Sequence, residues 1–231
     1  MPDRKVVTRD GSTTFYSEDY DETYHSTSGA LTEADKKYSE ACRIQDREEA
    51  DILDICFGLG YNSAAAIDRF RGKRLRIVGL EQNRGIVEEI VRMGDEYPFR
   101  CKDIMKKVVE QGEYHRPAAE GRVAGERMAG TVDVKLIMGD ARETIKHLAD
   151  RSFDCAFLDP FSPKKCPELW TKEFFDEMYR VLRKGGVVAT YSCARIVREN
   201  FKAAGFKVSD GPIIYRRGPA TVAEKACGNT R

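Results

Sequence analysis

The sequence predicts an α/β fold, with a mainly parallel sheet covered by helices on both faces. Three observations predict it. Short apolar runs of strand length alternate with stretches of helix length. The connections between them are mostly short, which suits parallel strands joined by helical crossovers. The first apolar run ends in Gly58-Leu59-Gly60, a tight turn at the carboxyl end of a strand, where open α/β sheets bind ligands.

The elements follow in order. Residues 1–30 are polar, and Tyr16, Tyr20 and Tyr24 recur every four residues. That spacing fits one helical face, while Gly29 and the many Ser and Thr favour an irregular segment. A helix is expected from Thr32 to about Arg47, with Thr32 as its N-cap and Asp35 in its first turn. Strands are expected at Ile52–Phe57, Leu75–Leu80, Val132–Met138, Phe153–Leu158 and Val187–Tyr191. Helices are expected at Asn62–Phe70, Arg84–Met93, Ala141–Ala149, Thr171–Leu182 and Ala194–Ala204. Gly185-Gly186 reads as the stop of the helix before it. Phe206–Val208 and Pro212–Tyr215 lack a helix between them and predict an antiparallel hairpin at the C-terminal edge. The rhythm breaks over 94–130. Lys102–Gln111 has helical character there, and Pro117–Gly130 reads as a surface insertion.

Composition narrows the class. A chain of 231 residues with 41% hydrophobic content supports one sizeable core, so 1–48 is expected to extend a domain formed by 49–231. No run approaches the length of a membrane span, and the polar start lacks the apolar stretch of a signal peptide. A net charge of +1 excludes a wholly basic nucleic-acid binder and leaves room for a local patch. The seven cysteines (Cys42, Cys56, Cys101, Cys155, Cys166, Cys193 and Cys227) form no CxxC pair. They read as free thiols of a cytoplasmic protein, and no ligand spacing suggests a metal.

Two acids follow the glycine turn at informative places. Glu81 ends the second strand, where a carboxylate can accept both hydroxyls of a ribose. The competing reading is a solvated acid at a strand end. Asp140 follows the third strand in Met138-Gly139-Asp140-Ala141, a position suited to an exocyclic adenine amine and equally to capping a helix. Only two glycines are present, and the pattern that opens a helix for a pyrophosphate is missing. S-adenosylmethionine (SAM) therefore fits better than a dinucleotide.

The fourth strand ends in Asp159-Pro160-Phe161-Ser162-Pro163, a carboxylate entering a loop that two prolines stiffen. In such a fold this loop faces the methyl group of SAM. An alkyl amine is protonated near neutral pH, and a carboxylate can bind it, orient it and take or relay its proton. The same negative charge raises the amine's pKa, so orientation can outweigh basicity. Alternatively Asp159 is only a turn residue before proline.

Together these residues resemble the MnmC-type tRNA methyltransferases. Phe57-Gly58-Leu59-Gly60-Tyr61-Asn62 is similar to that family's F-G-x-G-x-N, and 158–170 is similar to its L-D-x-F-[AS]-P-x-[KR]-N-P-[DE]-x-W. Asp21-Glu22-Thr23-Tyr24 with Gly29 to Glu33 resembles the N-terminal region, and Tyr191 to Phe206 resembles the closing T-[FY]-[ST]…V-R…A-G-F segment. Cys56 stands where a glycine is usual and Cys166 where the family has asparagine. The resemblance implies a Rossmann-like SAM-dependent methyltransferase that acts on the aminomethyl side chain of tRNA wobble uridine. It implies SAM as cofactor, without metal, and a stand-alone domain without the flavin oxidase fused in many bacterial members. Asp159 is the implied catalytic residue. Asp54, Phe57, Gly58, Gly60, Asn62, Glu81, Asp140 and Ala141 are the implied cofactor residues. Tyr24, Phe161, Lys164, Lys165, Arg195, Arg198, Arg216 and Arg217 are candidates for the tRNA side, the cations as phosphate contacts. Trp170 can stack on a base or pack in the core.

Two other functions share parts of this pattern. An aminopropyltransferase of the spermidine-synthase type would have the same fold and acids, but the lysines beside Asp159 oppose a polycationic substrate. A non-catalytic module that binds RNA or a partner would not need Glu81, Asp140 and Asp159 together.

Overall fold

The computed structural model describes residues 4–117, 122–123, 126–127, 130–215 and 218–227. The chain opens with β1 (Arg4–Val7), β2 (Thr13–Ser17) and β3 (Glu22–Thr23), a three-stranded antiparallel sheet in the order β1-β2-β3. The three tyrosines therefore do not share a helical face. The run Thr13-Thr14-Phe15-Tyr16 is β-branched and aromatic, and it packs better on a pleated surface than on a helix. Helix α1 (Ala30–Glu33) comes next and continues as a π-helical stretch, Ala34–Glu40. Thr32 lies inside this helix rather than at its cap. Its backbone N and hydroxyl both donate to Asp10 Oδ2, at 3.1 and 3.0 Å, tying the helix to the small sheet.

The body alternates as expected. β4 (Glu49–Ile55) leads to α2 (Tyr61–Arg69), and β5 (Arg74–Glu81) to α3 (Arg84–Met93). Within 94–130 lie α4 (Lys102–Gln111), β6 (Glu113–Arg116) and a short ribbon of β7 (Arg122–Val123) with β8 (Glu126–Arg127). This stretch is more than a loop. Ile104, Met105 and Val108 of α4 are buried, and β6 adds an edge strand to the main sheet. β9 (Thr131–Met138) leads to a short α5 (Ala141–Thr144), and β10 (Phe153–Leu158) to α6 (Lys172–Val181). β11 (Leu182–Thr190) leads to α7 (Arg195–Ala203), and the described chain ends with β12 (Phe206–Asp210) and β13 (Thr221–Lys225).

The main sheet runs β12-β13-β11-β10-β4-β5-β9-β6. The pairings among β11, β10, β4, β5 and β9 are parallel. β6 runs antiparallel to β9, and β13 antiparallel to both β11 and β12. Helix α5 stops at Thr144, short of Ala149, and two larger departures from the sequence expectation lie toward the C-terminal edge of the sheet. Gly185 and Gly186 do not stop α6. They lie in β11, where the register slips between Leu182 and Val187, and Gly185 supplies the positive φ of the irregularity. Pro212–Tyr215 is not a strand. The hairpin partner is β13, which inserts between β11 and β12, and Pro212 only closes the turn by accepting from Ala220 N at 3.0 Å.

Alternation explains why these strands read as unbroken apolar runs. Ile52, Ile77, Cys155 and Phe157 face a cluster that includes α2, α3 and α4. Their neighbours Leu53, Val78, Ala156 and Leu158 face a second cluster with α6 and α7. Both faces are thus buried, and each fully buried Leu, Ile or Phe contributes about 1.5–3 kcal/mol.

Candidate active site

The parallel strands all end on one side of the sheet, and a cavity of about 320 Å³ opens there. Its walls carry the acids that end β5 and β10, the turn after β4, the start of α5 and residues of the N-terminal hairpin. This size suits a small ligand.

The glycine turn places backbone against the cavity. Gly60 adopts a left-handed φ of 66° as it caps α2, and a Cβ there would meet Met105 Cε at 2.5 Å and the Phe57 ring at 2.7 Å. Gly58 turns its N–H onto Glu81 Oε2 at 2.8 Å. Glu81 Oε1 accepts from the backbone N–H groups of Gln82 and Asn83, each at 2.8 Å. Burial raises the Glu81 pKa, while these three donors favour its charged form. A buried carboxylate held this way, on a cavity wall, fits the hydroxyls of a ribose.

Cys56 adopts φ 63°, in the left-handed region that favours glycine. A non-glycine residue there costs about 1–2 kcal/mol. Cys56→Gly should therefore raise stability by about 1 kcal/mol, or about 2–4 °C in Tm, and Cys56→Val should lower it. Thermal unfolding of the three proteins checks this order.

Asp140 caps α5 by accepting from Arg142 N at 2.8 Å, and it also pairs with the Arg142 guanidinium, with Nη2–Oδ2 at 2.5 Å. The guanidinium holds the Asp140 carboxyl below its usual pKa. The cap and the position on the cavity wall are thus both present, and Arg142 joins Asp140 on that wall.

Asp159 leaves the end of β10 half-buried at the cavity. Tyr38 Oη donates to its Oδ1 at 2.5 Å, and Asn62 Nδ2 donates to its Oδ2 at 2.9 Å. Desolvation pushes its pKa up to about 7, helped by the nearby charge of Glu33, against the hydrogen bonds of Tyr38 and Asn62 and the charge of Lys37. Glu33 lines the cavity and forms a buried ion pair with Lys37 at 2.6 Å.

The N-terminal hairpin spans the opening. Tyr20 stacks on Phe161 at 4.2 Å, and Tyr24 meets the same ring edge-on at 5.0 Å. Tyr20 Oη accepts from Gln82 Nε2 at 3.1 Å, and Tyr24 Oη from Asn83 Nδ2 at 2.8 Å. On the other side Glu22 Oε2 accepts from Ser162 N at 2.8 Å. Residues 20–24 therefore bridge the loops that follow β5 and β10.

The structure brings together Tyr24, Phe57, Gly58, Glu81, Asp140, Ala141, Asp159 and Phe161 on the cavity wall. Asp54 is placed elsewhere. It shares the strand face of Ile52, points at α2 and accepts from Ser63 Oγ at 2.6 Å, where burial pushes its pKa up to about 7. Asn62 supports Asp159 rather than lining the cavity. Lys164 and Lys165 are exposed, and Lys165 pairs with Asp21 at 2.9 Å. Arg195 is exposed and pairs with Glu199 one turn on. Arg198 binds Thr221 Oγ1, Ala220 O and Asp210 Oδ1, so its guanidinium holds the terminal strands together. Arg216 and Arg217 lie outside the described residues. Trp170 is buried, with Nε1 donating to Phe161 O at 2.8 Å, which is the packing role. Sequence reasoning missed Tyr38, Tyr20, Gln82, Asn83 and Arg142. Only the spacing of Tyr16, Tyr20 and Tyr24 hinted at one of them, Tyr20.

The profile of an S-adenosyl-L-methionine-dependent methyltransferase family matches residues 101–226. The crystal structure of MnmC2 from Aquifex aeolicus superposes with a TM-score of 0.73 at 31% identity, covering 97% of this chain and 71% of that one. The chain belongs to the MnmC-type SAM-dependent methyltransferases. An uncharacterised protein of Methanocaldococcus jannaschii is 32% identical over 222 residues, 95% of this chain and 59% of that protein. The bifunctional tRNA 5-methylaminomethyl-2-thiouridine biosynthesis protein MnmC of Aromatoleum aromaticum is 30% identical over 91% of this chain and 33% of its own length. The chain thus spans about three fifths of the first of these curated relatives and a third of the second. Spermidine synthase from Thermotoga maritima superposes with a TM-score of 0.53 at 13% identity, a likeness of fold alone. Among the described residues no helix is long and apolar enough to cross a membrane.

Proposed function

We propose that this MnmC-type methyltransferase transfers a methyl group to the aminomethyl side chain of a tRNA wobble uridine, with residues 1–48 roofing a site carried by 49–231. The observation that carries the reading is Asp159, fixed at the cavity by Tyr38 and Asn62 beside the Phe161 and Tyr24 rings. The relationship to the bifunctional MnmC proteins of tRNA 5-methylaminomethyl-2-thiouridine biosynthesis supports it.

SAM would supply a methyl group on a positively charged sulfur. Glu81 would hold its ribose, with the Gly58 turn and the Asp140–Ala141 corner on either side. The chain's own residues then handle the amine. Asp159 binds the alkyl ammonium, orients it, and takes one proton on a carboxylate oxygen, which frees the nitrogen lone pair for the methyl. The proton afterwards leaves to solvent, restoring the carboxylate. Phe161 and the hairpin tyrosines offer faces for a flipped-out base. Exposed Lys164 would be a cation for a backbone phosphate.

A base must be unprotonated to act. With the Asp159 carboxyl near 7, kcat/KM should fall about tenfold per pH unit below about 7. A pH–rate profile checks this, and a flat response from pH 5 to 8 would contradict it. The assignment itself is tested with labelled SAM and bulk tRNA lacking wobble modification. Digestion should place the label on 5-methylaminomethyluridine or its 2-thio form. Label on another nucleoside, or on polyamine controls instead, would overturn the substrate.

A further inference from the structure

Tyr38 holds Asp159 without itself receiving the amine's proton. It is fully buried, edge-on to Phe157 at 5.8 Å, and its hydroxyl ends on Asp159 Oδ1 at 2.5 Å. The element that carries it is unusual. Ala34–Glu40 is π-helical, and such stretches are rare and concentrate at functional sites. Wider winding changes which side chains of the segment face the sheet. Here Tyr38 meets Asp159 while Lys37 meets Glu33 one turn back.

We propose that Tyr38 is a positioning residue: the π-helical turn delivers its hydroxyl to Asp159, fixing the carboxylate's orientation and setting the pH at which it can accept a proton. This rests on the reading of Asp159 as the proton acceptor. The geometry divides the labour. Tyr38 engages Oδ1 and Asn62 engages Oδ2, so the carboxylate cannot rotate without losing a bond. Each oxygen keeps a second lone pair for the ammonium. Burial and the Asp159 charge push the Tyr38 pKa well above its usual value. It therefore stays a donor throughout the working range, and the proton from the amine goes to Asp159.

Other groups around Asp159 set its baseline. Glu33 and Lys37 act from the N-terminal segment, and Asp54 and Cys56 from β4 and its turn, while Asn62 is neutral; Tyr191, just after β11, faces the Tyr38 hydroxyl. Tyr38 differs from the ionisable groups among these in donating a hydrogen bond to the carboxylate, and a hydrogen bond to the charged form lowers a pKa.

Tyr38→Phe keeps the ring and removes the donor. The acid limb of the kcat/KM profile should move up by about one pH unit. The rate loss should be about tenfold at pH 6 and shrink to within about threefold at pH 8.5, with SAM affinity by calorimetry unchanged. Placing 3-fluorotyrosine at the same position keeps size and strengthens the donor, so the limb should move down. It also gives a reading if the phenylalanine variant fails to fold. An equal loss at every pH, or an unmoved limb in the fluorinated protein, would overturn the proposal. Near wild-type turnover of Asp159→Asn would instead show that the underlying reading of Asp159 had failed.

Discussion

Asp159→Asn should reduce methyl transfer by about 10²–10⁴ while SAM still binds, the range typical of a lost acid–base group. The substitution keeps size and loses both the charge and the capacity to take a proton. The pocket can absorb it. Tyr38 can still donate to the remaining carbonyl oxygen. Among the described residues, buried Asn62 Oδ1 has no hydrogen-bond partner, so a flip of the Asn62 amide would offer an acceptor to the introduced amide N–H. The cavity wall at Glu81 and Asp140 is untouched. Raising the pH should partly restore the variant, because more of the amine is then neutral without help. Single-turnover rates and SAM calorimetry on the same preparation separate the outcomes. Near wild-type turnover would reduce Asp159 to a turn residue before Pro160. Loss of SAM binding would place it in the cofactor site.

Glu81→Ala should weaken SAM by roughly 10- to 150-fold. A hydrogen bond to a charged acceptor is worth about 1.5–3 kcal/mol, and each 1.4 kcal/mol is a factor of ten. Loss of the acceptor for the ribose is one part. The other is local order. Without the carboxylate, the N–H groups of Gly58, Gln82 and Asn83 lose their shared partner, and the turn after β4 is no longer pinned to the end of β5. The effect should appear in Kd, with the single-turnover rate at saturating SAM nearly preserved. Calorimetry showing unchanged affinity would remove Glu81 from the site.

Much of this frame was legible because its signals are local. Phe153–Leu158 matches β10 residue for residue, and Arg84–Met93 matches α3. An apolar run between turn signals needs no knowledge of its neighbours to be a buried strand, and the acid after it stands at the strand's carboxyl end by chain order alone. Errors arose where a residue's role depends on a partner far along the chain. Tyr38 lies 121 residues from Asp159. In sequence it is one aromatic in a polar helix, and nothing nearby distinguishes a packing ring from a hydroxyl aimed at a carboxylate.

The charged candidates show the same division. Arg195 and Arg198 sit three residues apart and look alike in sequence, yet one is exposed and the other is built into the junction of β12 and β13. Lys164 and Lys165 are neighbours, and only Lys165 meets Asp21, because the N-terminal hairpin folds over its loop.

The sequence by itself determined the α/β alternation, the glycine turn and the placing of Glu81, Asp140 and Asp159 at strand ends. Each follows from periodicity and from the conformations its own residues permit. Only the tertiary structure decided that β13 enters between β11 and β12, that residues 20–24 bridge the cavity, and that Tyr38 and Asn62 hold Asp159. Backbone pairing is nearly indifferent to side-chain identity, and a hydrogen bond between remote residues depends on where packing leaves their atoms, so neither is written in a local pattern.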